Sequence, residues 1–106
     1  MKKWLVSMYA ILGMERDERF FVKIGCEELA NVLNSEKLAL FNDVEWTRED
    51  EADEEFLSVL APYAIDGARE VLMESKKNGL DKGLTKPFVM RVEDDIRFLN
   101  SFIASH

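Results

Sequence analysis

Histidine and cysteine are nearly missing from this 106-residue chain: there is one of each, His106 and Cys26. Histidine is the usual proton shuttle and metal ligand near neutral pH, so catalytic triads and histidine-based metal sites lose their central member. A lone cysteine forms no internal disulfide and fits a reducing, cytoplasmic setting. Glycine-rich phosphate loops are absent, with five glycines scattered along the chain. No apolar run approaches the roughly 20 residues that a transmembrane helix needs. The most apolar stretch, Trp4–Leu12, follows Met1-Lys2-Lys3 and has the outline of a secretory signal. Gly13-Met14-Glu15 supplies no small-x-small cleavage site after it, so a core element is the better reading.

Positive charge is also scarce, at 14 Lys and Arg against 21 Asp and Glu, for a net −7. That balance argues against a nucleic-acid backbone or an anionic membrane as direct partner, because both are bound through Lys and Arg. The deficit is local. Residues 1–42 carry six acids and six bases, and residues 56–106 carry seven of each. The thirteen residues between them, Asp43 to Glu55, hold eight acids and only Arg48 as a base, and so contain the whole excess. A smaller positive counterpart follows, where Lys76, Lys77, Lys82 and Lys86 outweigh Asp81. Such a chain is expected to be an electric dipole.

What the chain has in quantity is helix-forming residues. Ala, Leu, Glu, Lys, Arg and Met make up 52 of 106 positions, against 15 for Val, Ile and Thr. Phe88, Val92, Ile96, Leu99 and Ile103 share one face of a helix over 86–104, with Thr85 as cap and Pro87 in its first turn. Asp50–Leu60 and Tyr63–Asn78 read as two helices jointed at Pro62, the second ending at Asn78-Gly79. Glu27–Asn34 reads as a short helix, with Ser35 capping another over Glu36–Phe41. Residues 1–25 are ambiguous: Trp4, Leu5, Met8, Ile11 and Leu12 suit a helical stripe, while Phe20, Val22 and Ile24 alternate as in a strand. The resulting expectation is mainly α, a single compact helical domain over 1–106, with an α+β alternative carrying an N-terminal β-hairpin. No repeat or linker is read.

Individual candidates for chemistry are weak. Cys26 sits at a helix start, which lowers a thiol pKa, but Glu27 and Glu28 oppose the thiolate, and a buried structural role is favoured. Asn42-Asp43-Val44-Glu45 begins like a calcium loop, yet the glycine such a loop turns on is missing and Trp46 interrupts it. Asp66, Glu70 and Glu74 share a helix face, where ion pairs with Arg69 and Lys77 account for them. Glu93-Asp94-Asp95 complements a helix dipole. Glu28–Asn34 faintly resembles the first helix of a helix-turn-helix, but Ser35–Phe41 carries only Lys37 to meet phosphate. Phe20, Phe21, Met73 and Met90 are expected in the core, and His106 is expected to fray. No cofactor or metal is expected.

The acidic segment remains. Asp43, Glu45, Trp46, Glu49, Asp50, Glu51, Asp53, Glu54 and Glu55 form the candidate partner-binding set, with Trp46 as an aromatic anchor among carboxylates. Anchors supply burial, and charges supply speed and register. The expected function is a small acidic non-catalytic protein, not an enzyme, that occludes a basic protein partner such as a nuclease or polymerase. Immunity proteins, antitoxins and phage-type inhibitors of nucleic-acid-handling enzymes resemble this chain in size and charge, without a shared motif. The alternative is a structural or assembly subunit that pairs with itself through an apolar patch, for which the Trp4–Leu12 segment is the candidate; the sequence leaves the oligomeric state open.

Overall fold

A computed structural model describes residues Met1–His106 as four helices: α1 (Lys3–Lys23), α2 (Glu27–Asp43), α3 (Glu54–Lys77) and α4 (Lys86–Ser105). They run up, down, up and down. α1 packs on both α2 and α3, and α4 packs on α3, so α1 and α3 form a central pair with one outer helix on each side. There are no strands; the alternative hairpin in residues 1–25 is replaced by α1. Its apolar stretch is long enough for a helix and finds α3 on one face and α2 on the next, so helical burial outweighs the local strand-like alternation of Phe20, Val22 and Ile24.

The central pair touches through backbone. A Cβ built on Gly13 would fall on the Tyr63 carbonyl oxygen, and one on Gly67 would fall on the Tyr9 carbonyl oxygen. Ala10, Ala64 and Ala68, each fully buried, fill the rest of the seam. Small residues are required at this approach. Around it cluster Val6, Met14, Leu33, Leu57, Leu60, Ile65 and Leu99. Tyr9 is buried and its hydroxyl donates to Asp95 Oδ2 at 2.8 Å, linking α1 to α4. On the other flank Lys37 Nζ lies 2.9 Å from Glu18 Oε2, linking α2 to α1.

Several helix boundaries differ from the sequence expectation. α2 is continuous through Ser35, because its inner positions Ala30, Leu33, Lys37 and Leu40 keep one face on α1 across the expected break. That removes the turn a helix-turn-helix needs. α3 is continuous through Pro62, which is exposed, so the Ser58 carbonyl it leaves without a donor faces water. Its start is Glu54 and not Asp50, fixed by the Asp53 side chain accepting from Phe56 N at 2.8 Å. α4 appears where expected, but Thr85 does not cap it; the Thr85 hydroxyl donates to Lys82 O in a 3-10 turn, Gly83–Thr85.

Phe20, Met73 and Met90 are more than half exposed and do not join the core, whereas Phe21 packs partly against it. In α4, Val92 and Leu99 are buried but Phe88 and Ile103 are half exposed, since only one helix covers that face. His106 does not fray. Its ring stacks on Phe102 at 4.1 Å and its Nε2 lies 3.2 Å from Glu54 Oε1.

Candidate functional site

Residues 44–53 connect the end of α2 to the start of α3, and the chain start lies against them. Lys3 N donates to Asp50 O and Ala52 N to Met1 O, both at 2.8 Å, framing an antiparallel bridge pair between Lys2 and Glu51. Side chains reinforce the bridge. Lys2 Nζ sits 2.9 Å from Glu51 Oε1 and 3.7 Å from Glu49 Oε2, and the Met1 amine sits 3.0 Å from Glu51 Oε2. The Glu51 carboxyl is held below its ordinary range, chiefly by the hydrogen bond from Lys2 and then by the amine. Arg48 spans Glu45 at 3.1 Å and Asp50 at 2.9 Å, and these two carboxylates raise its own pKa.

The segment is therefore an ordered strap and not a free acidic tail. Of its eight acids, Glu45, Glu49, Asp50 and Glu51 have cationic partners, Glu54 meets His106, and Asp53 caps α3. Asp43 and Glu55 have no cation within 4 Å. Lys2, Lys3 and the Met1 amine stand against the segment, so its local charge of −7 becomes −4. It remains the negative end of the molecule. The lysine-bearing turn between α3 and α4 lies at the far end of α3, whose 24 residues span about 36 Å.

Trp46 is held at the edge of this strap. Its Nε1–H donates to Phe41 O at 3.3 Å and its ring packs at 5.6 Å from that of Phe41. The two rings form one wall of an open hollow of about 400 Å³ whose floor is Met8, Ile11 and Leu12 on the outer face of α1. All five lining residues are apolar. Trp46 itself is 37% exposed and Phe41 55%, so both rings present area to water. A second cleft of about 230 Å³ lies between the strap and the helices, lined by Lys3, Asp43, Glu45, Arg48, Asp50 and Phe56 among others. Its lining carries three carboxylates against two cations, and Lys3 Nζ stands 5.5 Å above the Phe56 ring.

The nine residues expected to bind a partner thus fall on one end of the fold, on the last residue of α2, the strap and the first turn of α3. Trp46 is the member that meets apolar neighbours. The partner-binding set expected from the sequence leaves out Met8, Ile11, Leu12 and Phe41. Their signal was present, since Met8, Ile11 and Leu12 are the positions of the Trp4–Leu12 stretch that lie opposite the buried Val6, Ala10 and Gly13. A helix apolar all round must either be covered or offer one side.

The other candidates separate. Glu70 lies 3.9 Å from Arg16 Nε and 4.0 Å from Arg19 Nη2, both on α1, instead of pairing along its own helix. Arg69 reaches Asn100 at 3.4 Å. Asp66 faces Asp17 across the seam. Burial and then Asp66 push the Asp17 carboxyl up, against the pull of Arg16. Burial likewise raises Asp95, partly offset by the Tyr9 hydroxyl. Cys26 is half-buried at the start of α2. No group of three or more His, Cys, Asp or Glu side chains is placed to hold a metal ion, and no helix is long and apolar enough to cross a membrane. No known protein family, curated protein or solved structure matches the chain.

Proposed function

We propose that this chain is a non-catalytic binding protein for a basic, partly apolar protein surface, of the kind carried by enzymes that handle nucleic acid. The observation that supports this reading is Trp46: an ordered acidic strap holds an aromatic ring at the mouth of an apolar hollow. The hollow gives a partner side chain somewhere to be buried, and the carboxylates around it select for Lys and Arg nearby. Because the strap is already pinned by Lys2 and Arg48, little ordering entropy is lost when a partner arrives.

The test compares affinity columns of wild type, Trp46→Ser and the double variant Asp43→Asn/Glu55→Gln, loaded with host extract at low salt. Asp43 and Glu55 are the appropriate acids, since neutralising the others would loosen the strap itself. The expected result is a basic protein retained by wild type, lost from Trp46→Ser, and released from the double variant at lower salt. If all three columns retain the same proteins, the reading is wrong.

A further inference from the structure

The end of the molecule opposite the strap has the complementary shape and charge. Between α3 and α4 the chain makes a compact turn: Leu80 N donates to Ser75 O at 2.8 Å, Asn78 Nδ2 donates to Glu74 O at 2.8 Å, and Thr85 Oγ1 donates to Lys82 O at 3.0 Å. Gly83, at φ +64°, turns the chain so that Leu84 stands fully exposed at the tip. Lys82 and Lys86 flank it two residues away on either side, and neither has a carboxylate within 4 Å; the same is true of Lys77. An ordered turn that holds a leucine in water between unpaired lysines presents an apolar knob in a basic setting. The hollow of Met8, Ile11, Leu12, Phe41 and Trp46 is an apolar hole beside the acidic strap.

We infer that the hollow takes the Leu84 turn of a second copy of this chain, so that copies associate head to tail. The inference rests on the reading that this hollow accepts a basic, apolar surface, and it names one such surface. Charge decides between this arrangement and a symmetric one. Two hollows facing each other would bring two negative straps together, whereas knob into hole sets the lysines of one copy against Asp43 and the strap of the next. Knob and hole lie on different patches, so the contact is heterologous and does not close on itself; association continues along a line. One leucine and a few lysines make a small contact, so the association is weak and salt-sensitive.

Sedimentation equilibrium of the whole chain tests this. At low salt the average mass rises with concentration above 12.3 kDa and returns to the monomer at high salt. Leu84→Glu keeps the hole and loses the knob; Trp46→Ser, or Phe41→Ser if that variant melts early, keeps the knob and loses the hole. Each alone stays monomeric, and a mixture of the two forms one-to-one dimers and nothing longer. A wild type that is monomeric at every concentration, or a mixture that gives no dimers, overturns the inference. The binding reading is tested separately with a synthetic Leu–Lys helical peptide, using Trp46 fluorescence in a Trp4→Phe chain. If the peptide shifts that emission while wild type remains monomeric, the hollow binds basic surfaces but not its own kind. If neither occurs, both readings fail.

Discussion

Gly13 and Gly67 decide how close the two central helices stand, and neither position has room for a methyl group. Gly67→Ala would place its Cβ 2.9 Å from Gly13 N as well as on the Tyr9 carbonyl, and both obstacles are backbone. The helices must separate, so the cost is expected to be about 3 kcal/mol or more, lowering Tm by more than ~10 °C. Thermal denaturation followed by circular dichroism measures it. Asp17 offers the opposite sign. Its carboxyl titrates higher in the fold than in the unfolded chain, so its protonated form favours the fold. That contribution is present below the ordinary carboxyl range and is lost as pH rises through the raised value. Asp17→Asn keeps a neutral side chain beside Asp66 at every pH. Its Tm at pH 7 should exceed that of wild type, with the gain vanishing as pH falls below the ordinary carboxyl range. A pH-independent difference would remove the carboxylate explanation.

At the scale of elements, the caps and joints are what separate the sequence reading from the structure. The stripe from Val92 to Leu99 was legible because four-residue spacing needs no knowledge of the partner helix. The break at Pro62 was misread because local rules penalise proline in a helix, while the exposure of the ring and of the Ser58 carbonyl is a tertiary fact. The same holds for Ser35, where packing of Leu33 and Leu40 on one side of α2 overrides a local capping preference. One signal was present and went unused: Tyr9-Ala-Ile-Leu-Gly13 and Tyr63-Ala-Ile-Asp-Gly67 share four of five residues, and each tyrosine carbonyl meets the other segment's glycine. The strap's boundary with α3 can be tested directly. Asp53→Ala removes the acceptor for Phe56 N and should cost about 1 kcal/mol. Asp53→Asn should retain most of it, since the side-chain carbonyl still accepts; equal losses would mean that charge and not the hydrogen bond matters.

At the scale of the molecule, charge was the most legible property and its pairing the least. Summing along the chain finds the negative segment between 43 and 55, but the bridge from Lys2 to Glu51 spans 49 positions and is invisible to any local pattern. The surface was also hidden. The chain exposes 6986 Å², against about 6,100 Å² for a typical monomer of this mass, and its radius of gyration is 14.3 Å against about 13 Å. Sixteen large apolar side chains are exposed, among them Leu29, Val32 and Phe41 on α2 and Phe88, Met90 and Phe98 on α4. An outer helix with a single neighbour cannot cover all its apolar positions, so this follows from the arrangement of two outer helices on one central pair.

That arrangement also sets how the chain comes apart. α2 and α4 share no packing contact with each other: α2 packs on α1, and α4 packs on α3 with one further tie to α1 from Tyr9 to Asp95. Opening one leaves the other's support intact, so the free energy of local opening is expected to form a ladder, not a single step. Amide hydrogen exchange should be slowest from Val6 to Met14 and from Leu60 to Ala68. It should be faster in both outer helices, by independent amounts. Leu99→Ala should then quicken exchange along α4 while leaving the amides of α2 as they were, and a matching acceleration in α2 would show the two flanks to be coupled after all. Two backbones pressed together at Gly13 and Gly67, with only alanine methyls to fill the seam beside them, thus act as a spine, from which either flank can detach alone.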